Sequence, residues 1–174
     1  MRYAGLIEND IVDSDDGICV SLWMQGCPHH CKGCHNPETW DFNGGKEIDI
    51  KKLVENVITS LTQNGVNRNF SILGGEPLAP ENIKDTVYII NCVRNKFPKI
   101  KIYLWTGYTM EYLMNCSSKL GGSYNISISK ILRNVDILIE GLYKEELRDT
   151  SLLLRGSSNQ RIFRKNLKGL FTNK

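Results

Sequence analysis

A chain of 174 residues, 41% hydrophobic and 24% charged, has the make-up of a single globular domain, and residues 1–174 are read as one domain around one core. Its 22 Lys and Arg are interspersed with 19 Asp and Glu, so a net charge of +3 forms no basic stripe and offers no footprint for nucleic acid; the basic tail at 161–174 reads as a solvated terminus. No apolar run approaches the roughly 20 residues of a membrane span, and "MRYAGLIEND" lacks the apolar core of a signal peptide, so a cytoplasmic location with no membrane partner is expected.

In chain order, "GICVSLWMQ" is rich in β-branched and aromatic residues and reads as a strand. It runs into the loop at residues 25–40, "QGCPHHCKGCHNPETW", which holds three of the six cysteines and all three histidines. Asp49 then caps a helix through "IDIKKLVENVITSLTQNG", with Ile50, Leu53, Val54, Val57, Ile58 and Leu61 at helical spacing and Gly65 closing it. "NFSIL" is a short buried strand stopping at Gly74-Gly75. From Pro80, "PENIKDTVYIINCVRNKF" repeats the helical pattern until Pro98. "KIYLWTGY" is the next strand, "TMEYLMNC" a short helix, "SSKLGGSYN" a break, "SISKILRN" a helical turn and "VDILIEG" a strand; the apolar "SLLLRG" ends the series before the polar "SSNQRI".

Strands alternating with helices predict an α/β fold with a parallel sheet. A closed eight-fold barrel needs about 250 residues, which leaves a partial (β/α) barrel of about five or six parallel strands, with functional residues at the strands' C-terminal ends. The cysteine loop, "GGEP", "TGY" and "EGLY" each follow a strand pattern directly.

A reducing cytoplasm makes clustered cysteines metal ligands or reactive thiols before disulfides. Cys19, Cys92 and Cys116 stand apart and read as small buried hydrophobes. Cys27, Cys31 and Cys34 form C-x3-C-x2-C. An iron–sulfur cubane normally takes four thiolates, so three in one compact loop leave one iron open to a further ligand. A tetrahedral Cys3His zinc site completed by His29, His30 or His35, in a non-catalytic interaction module, is the alternative, and spacing alone leaves the two level. At residues 74–77, "GGEP" gives exposed peptide groups beside the Glu76 carboxylate, a setting suited to an ammonium group; taken alone, the same residues make a tight turn before a helix.

With C-x3-C-x2-C followed by "GGEP", the chain resembles the radical S-adenosylmethionine superfamily. "GCPHHCKGCHNPETWDFNGG", "LGGEPL", "WTGY", "VDILIEG" and "LRGSSNQRI", in that order and over nearly the whole chain, are similar to the family of glycyl-radical activating proteins that serve the anaerobic ribonucleoside-triphosphate reductase. The resemblance implies that Cys27, Cys31 and Cys34 hold a [4Fe–4S] cluster, and that Gly33, Cys34, His35, Gly74, Gly75 and Glu76 contact S-adenosylmethionine, with Thr106, Gly107 and Glu140 as further contacts. Gly33 stands where the superfamily commonly has an aromatic residue, and Glu140 where the subgroup more often has Asp. The implied reaction is reductive cleavage of S-adenosylmethionine to methionine and a 5′-deoxyadenosyl radical, which takes a hydrogen from a glycine of the reductase. A small reducing protein such as flavodoxin is the implied electron donor. An activase of the pyruvate formate-lyase type is the neighbouring reading. The segment at 155–161, "RGSSNQR", is expected at the end of the last strand, either bordering the cofactor or an incoming loop, or knitting the sheet's edge.

Overall fold

The computed structural model describes residues 1–115 and 122–173. Strands β1 (Arg2–Asp10), β2 (Cys19–Met24), β3 (Lys46–Glu47), β4 (Asn69–Gly74), β5 (Ile102–Thr106), β6 (Ile137–Glu140), β7 (Arg161–Lys165) and β8 (Phe171–Asn173) form one sheet in the order β3-β1-β2-β4-β5-β6-β7-β8. The central strands β2, β4, β5 and β6 are parallel, joined by crossovers that carry α1 (Ile50–Thr62), α2 (Ile83–Lys96), and α3 (Met110–Asn115) with α4 (Gly122–Asn134). The pattern-based expectation was five or six parallel strands; four are parallel, and β1, β3, β7 and β8 pair antiparallel on either side.

Side chains alternate across a strand, and the two faces differ. Val20, Leu22, Met24, Phe70, Ile72, Ile102, Leu104 and Leu138 pack with the buried stripes of α1, α2 and α4. The opposite face carries Tyr103, Ile137, Ile139 and Ile162, with Trp105 and Leu154 against them. The loop between β1 and β2 is tied to this second face, where the Ser71 hydroxyl donates to the Asp13 carbonyl (2.6 Å) and the Tyr103 hydroxyl to Asp15 (2.8 Å).

Several boundaries differ from the pattern-based ones for local reasons. Asp49 caps α1 as expected, its carboxylate accepting from the amides of Lys51 and Lys52, but the helix stops at Thr62 and a 3-10 turn carries the chain to Gly65. α2 starts at Ile83, not at Pro80, because the Asn82 side chain reaches away to three carbonyls of neighbouring loops. α4 begins at Gly122, so Ser123, Tyr124 and Asn125 are helical and not part of a break; the rest of that break, and Cys116, lie outside the described residues. Cys19 is buried in β2 and Cys92 half-buried in α2. "SLLLRG" is a series of turns: Leu154 has φ of 60°, which no strand accommodates, and its carbonyl accepts the Trp105 indole N–H at 2.9 Å. Residues 155–160 therefore precede β7; they do not follow a last strand. Among the described residues no helix is long and apolar enough to cross a membrane.

Candidate metal centre

The cysteine loop is closed at its base by backbone ladders. Gly26 and Cys27 donate to the carbonyls of Thr39 and Trp40 (2.8 and 3.0 Å), and the Gln25 amide spans from beneath to the carbonyls of Glu38 and Asp41. His30, with φ of 47°, stacks on Trp40 at 4.7 Å between ring centroids. "GGEP" continues the β2–β4 pairing past both strands: Gly75 N–H donates to the Met24 carbonyl and Glu76 N–H to that of Gly26. Asn82 then binds the carbonyls of Gln25, Gly26 and Glu76 together. These contacts bring the cysteine loop and the end of β4 into one rigid unit.

Glu76 is the hub of that unit. Its side chain is 1% exposed, and each carboxylate oxygen has two partners. The Leu78 amide and Thr106 hydroxyl donate to Oε1 (2.9 and 2.8 Å); the Gly107 amide donates to Oε2 (2.7 Å), and His29 Nε2 lies 2.7 Å from the same oxygen. One buried acid thus joins the cysteine loop, the turn after β4 and the end of β5. The His29 ring also meets Tyr108 edge-on at 4.6 Å and fills the space where a side chain at position 107 would project.

Cys27, Cys31 and Cys34 line a cavity of about 120 Å³ with His29, Gly74, Gly75, Glu76, Thr106 and Gly107. A neighbouring cavity of about 380 Å³ shares Cys34, Gly74, Trp105, Tyr143 and Gln160 with it and adds His35, Trp23, Arg155 and Gly156. Gly33 and Glu140 line neither. Gly33 has φ of 71° and backs onto Glu145. Glu140 is fully engaged below the site: its carboxylate accepts from Arg161 Nε (2.5 Å) and from the amide of Met110 at the start of α3 (2.8 Å).

Cys27 and Cys31 sit in surroundings that favour the neutral thiol. Burial pushes Cys27 up to about 11; amides of His29 and His30 oppose this, while the charges of Glu76 and Cys31 add to it. Burial and the proximity of Cys34 likewise raise Cys31. Three crowded thiols beside a buried carboxylate call for a positively charged occupant, and iron bound there would displace the protons. Among the described residues no group of three or more His, Cys, Asp or Glu converges as the ligands of a single metal ion would. A four-iron cluster makes no such demand, since each thiolate meets a different corner. Three thiols lining one cavity are soft donors of the kind an iron–sulfur cluster takes, and in chemistry they fit a three-thiolate cluster.

Sequence patterns passed over Trp105 and Tyr143 as cavity walls and did not single out His29 from its two neighbours. Both lie inside the quoted "WTGY" and "EGLY", so position after a strand was the available signal. Residues 155–161 do two jobs: Arg155, Gly156 and Gln160 line the larger cavity, and Gln160 also knits the β6–β7 connection, accepting from the amides of Gly156 and Ser157 and donating to the Gly141 carbonyl.

A family model described as a 4Fe-4S single cluster domain matches residues 15–163. The anaerobic ribonucleoside-triphosphate reductase-activating protein of Escherichia coli strain K12 is 32% identical over 161 residues, covering 92% of this chain and 96% of that protein. The proteins of the same name from Salmonella typhi (31% over 161 residues) and from Enterobacteria phage T4 (31% over 163 residues) cover 92% and 94% of this chain. With this coverage, the chain belongs to the family of anaerobic ribonucleoside-triphosphate reductase-activating proteins, built on a 4Fe-4S single cluster domain.

Proposed function

We propose that this protein is a radical S-adenosylmethionine oxidoreductase that generates the glycyl radical of an anaerobic ribonucleoside-triphosphate reductase. The observation that carries the reading is the single cavity in which three thiols meet Gly74, Gly75, Glu76, Thr106 and Gly107, continuous with a larger cavity of nucleoside-binding size. Cys27, Cys31 and Cys34 would hold the cluster, leaving one iron without a cysteine. When bound, the reduced cluster and S-adenosylmethionine together supply a one-electron cleavage to methionine and a 5′-deoxyadenosyl radical able to take a glycine hydrogen.

The chain's own part is to bind, orient and exclude water. Because the Glu76 carboxylate already has two partners on each oxygen, its role is to fix the Gly74–Gly75 and Thr106–Gly107 backbones, and exposed peptide groups there receive the ligand's amino group. His35, Trp105 and Tyr143 form the wall towards the larger cavity, where the adenosyl group fits. The four parallel strands are read as a partial (β/α) barrel whose open flank admits a loop of the partner protein. A small reducing protein such as flavodoxin is the proposed electron donor, and the cytoplasm the proposed location.

The test is anaerobic reconstitution with iron and sulfide, reduction, and mixing with S-adenosylmethionine and the reductase's glycyl-radical subunit. A glycyl signal by paramagnetic resonance, with methionine released, is the expected result. Cluster loading without methionine release would refute the radical mechanism, and a glycyl signal only with a pyruvate formate-lyase-type partner would reassign the substrate.

A further inference from the structure

At the opposite end of the sheet from the cysteines, three connections meet: the turn between α2 and β5, the junction of α4 with β6, and the β7–β8 hairpin. They enclose a cleft of about 580 Å³ lined by Arg94, Lys99, Lys101, Arg133, Arg164 and Lys165, with Asp136 as its one acidic lining residue. Cavities of this size hold small molecules. The charges are only partly balanced. Asp136 is taken by Arg94 (2.5 Å), Asp16 reaches Lys101 (2.5 Å), and Asp15 pairs with Arg164. Among the described residues Lys99, Arg133 and Lys165 have no carboxylate partner, which leaves three cations around one cleft.

Lys165 is also held in place. Its ammonium donates to the Arg133 carbonyl (2.6 Å) and lies over the Phe171 ring, 5.3 Å from the centroid. Burial pulls its affinity for a proton below the usual lysine range, partly offset by Asp136, and the charge of Arg94 pulls it lower still. A fixed, half-buried ammonium that is repelled by a neighbour gains from an incoming anion. Arg94 adds charge without adding reach, because its donors are spent on the carbonyls of Asn134, Pro98 and Ile100 and on Asp136.

We infer that this cleft is an anion site for a polyphosphate chain, free or carried by a nucleotide, with Lys99, Arg133 and Lys165 as its principal contacts. Three unpaired cations converging on one small volume match a ligand carrying several negative charges, and they exceed what a single carboxylate would neutralise. The site lies at the strand ends remote from the cysteines, so it stands independently of the proposed reaction.

The experiment is isothermal titration calorimetry of the whole protein, without divalent metal and at low salt, using sodium tripolyphosphate in one arm and ATP in the other. Saturable binding is expected, weakening as salt is raised. The doubly exposed pair Lys99→Glu and Arg133→Glu should weaken it by roughly tenfold or more, and Lys165→Met should weaken it as well; Lys52→Glu on α1 is the control that leaves it unchanged. Equal affinity in both arms assigns recognition to the phosphates, and tighter ATP binding adds a base contact; either supports the inference. Binding that survives the double reversal overturns it. So does an absence of saturation by both probes below about 1 mM, or binding of poly-glutamate in their place, which would make the cleft a protein-docking surface.

Discussion

Replacing Glu76 with Gln keeps the volume of the side chain and removes one acceptor oxygen from a fully occupied site. With the remaining oxygen turned towards His29 and Gly107, the new amide nitrogen faces the Thr106 hydroxyl and the Leu78 amide. Thr106 can rotate its hydrogen and accept. Leu78 cannot: its N–H is buried and would confront another donor. One buried donor without a partner costs about 1–3 kcal/mol, and the bonds from His29 and Gly107 each weaken by about 1 kcal/mol when the acceptor is no longer a carboxylate. The expected loss is therefore about 3–5 kcal/mol of folding stability, large against the usual stability of a domain. Urea denaturation of the cluster-free protein, kept reduced and free of oxygen, measures it as a fall in midpoint at unchanged slope. A loss below about 1 kcal/mol would refute the hub argument, since the four donors would then have been satisfied by other means. The same variant should load less iron, because the tie of the cysteine loop to β5 through His29 is weakened.

Three further outcomes are expected. Gly107→Ala places a methyl 2.5 Å from the His29 ring, so it should push His29 off Glu76 at a cost of about 1–3 kcal/mol; denaturation midpoints equal to wild type would show that the ring moves freely. Asp13 is raised to about 7 by burial first and then by its hydrogen bond and repulsion with Asp10; the folded state therefore keeps a proton that the unfolded chain has released, and stability falls as pH rises from about 4 to about 7 and then levels. Asp13→Asn should abolish that fall, a gain on the order of 2 kcal/mol at pH 8 once solvent screening is allowed for, read from denaturation at pH 5 and pH 8; a parallel pH profile in the variant would dismiss Asp13 as its source. Cys31→Ala should lower reconstituted iron well below about four per chain and abolish methionine release, and normal release from this variant would mean that the ligands are misassigned.

The parts of the site legible in the sequence are those carried on one short stretch of chain. The three thiols, Gly74–Gly75–Glu76 and Thr106–Gly107 could be placed because each lies just past a strand pattern, and the parallel strands end together. The hub was not legible. Its donors come from positions 29, 78, 106 and 107, and no local periodicity records that one carboxylate will receive them all. Glu140 illustrates the opposite case: the family resemblance implied a ligand contact, while its partner in the fold, Arg161, lies 21 residues further on in a strand with no clear alternation. β1 escaped for a related reason, since "RYAGLIEND" pairs with β2 through two register shifts and shows no clean period of two. The start of α2 was misplaced because a capping-type residue, Asn82, spends its side chain on tertiary contacts.

The glycines explain why one wall of the cavity is built from closely packed main chain. A Cβ at Gly74, where φ is 98°, would lie within 3 Å of the Met24 backbone, and one at Gly75 would lie 2.5 Å from the Gly26 carbonyl oxygen. The cysteine loop, β2 and β4 thus approach more closely than any side chain permits, and the surface they present to a ligand is main chain. Peptide dipoles fixed by a hydrogen-bonded ladder do not reorganise when a charged group arrives, which on the proposed function suits a centre that would hold a reactive bond in one orientation. The facing wall is built differently. Tyr143, Arg155 and Gln160 are side chains on turns, joined to the sheet by hydrogen bonds from Trp105 to Leu154 and from Gln160 to Gly141. On the proposed function, a partner's glycine loop enters beside an already fixed cofactor, and the wall built from side chains on turns is the side on which it would be received.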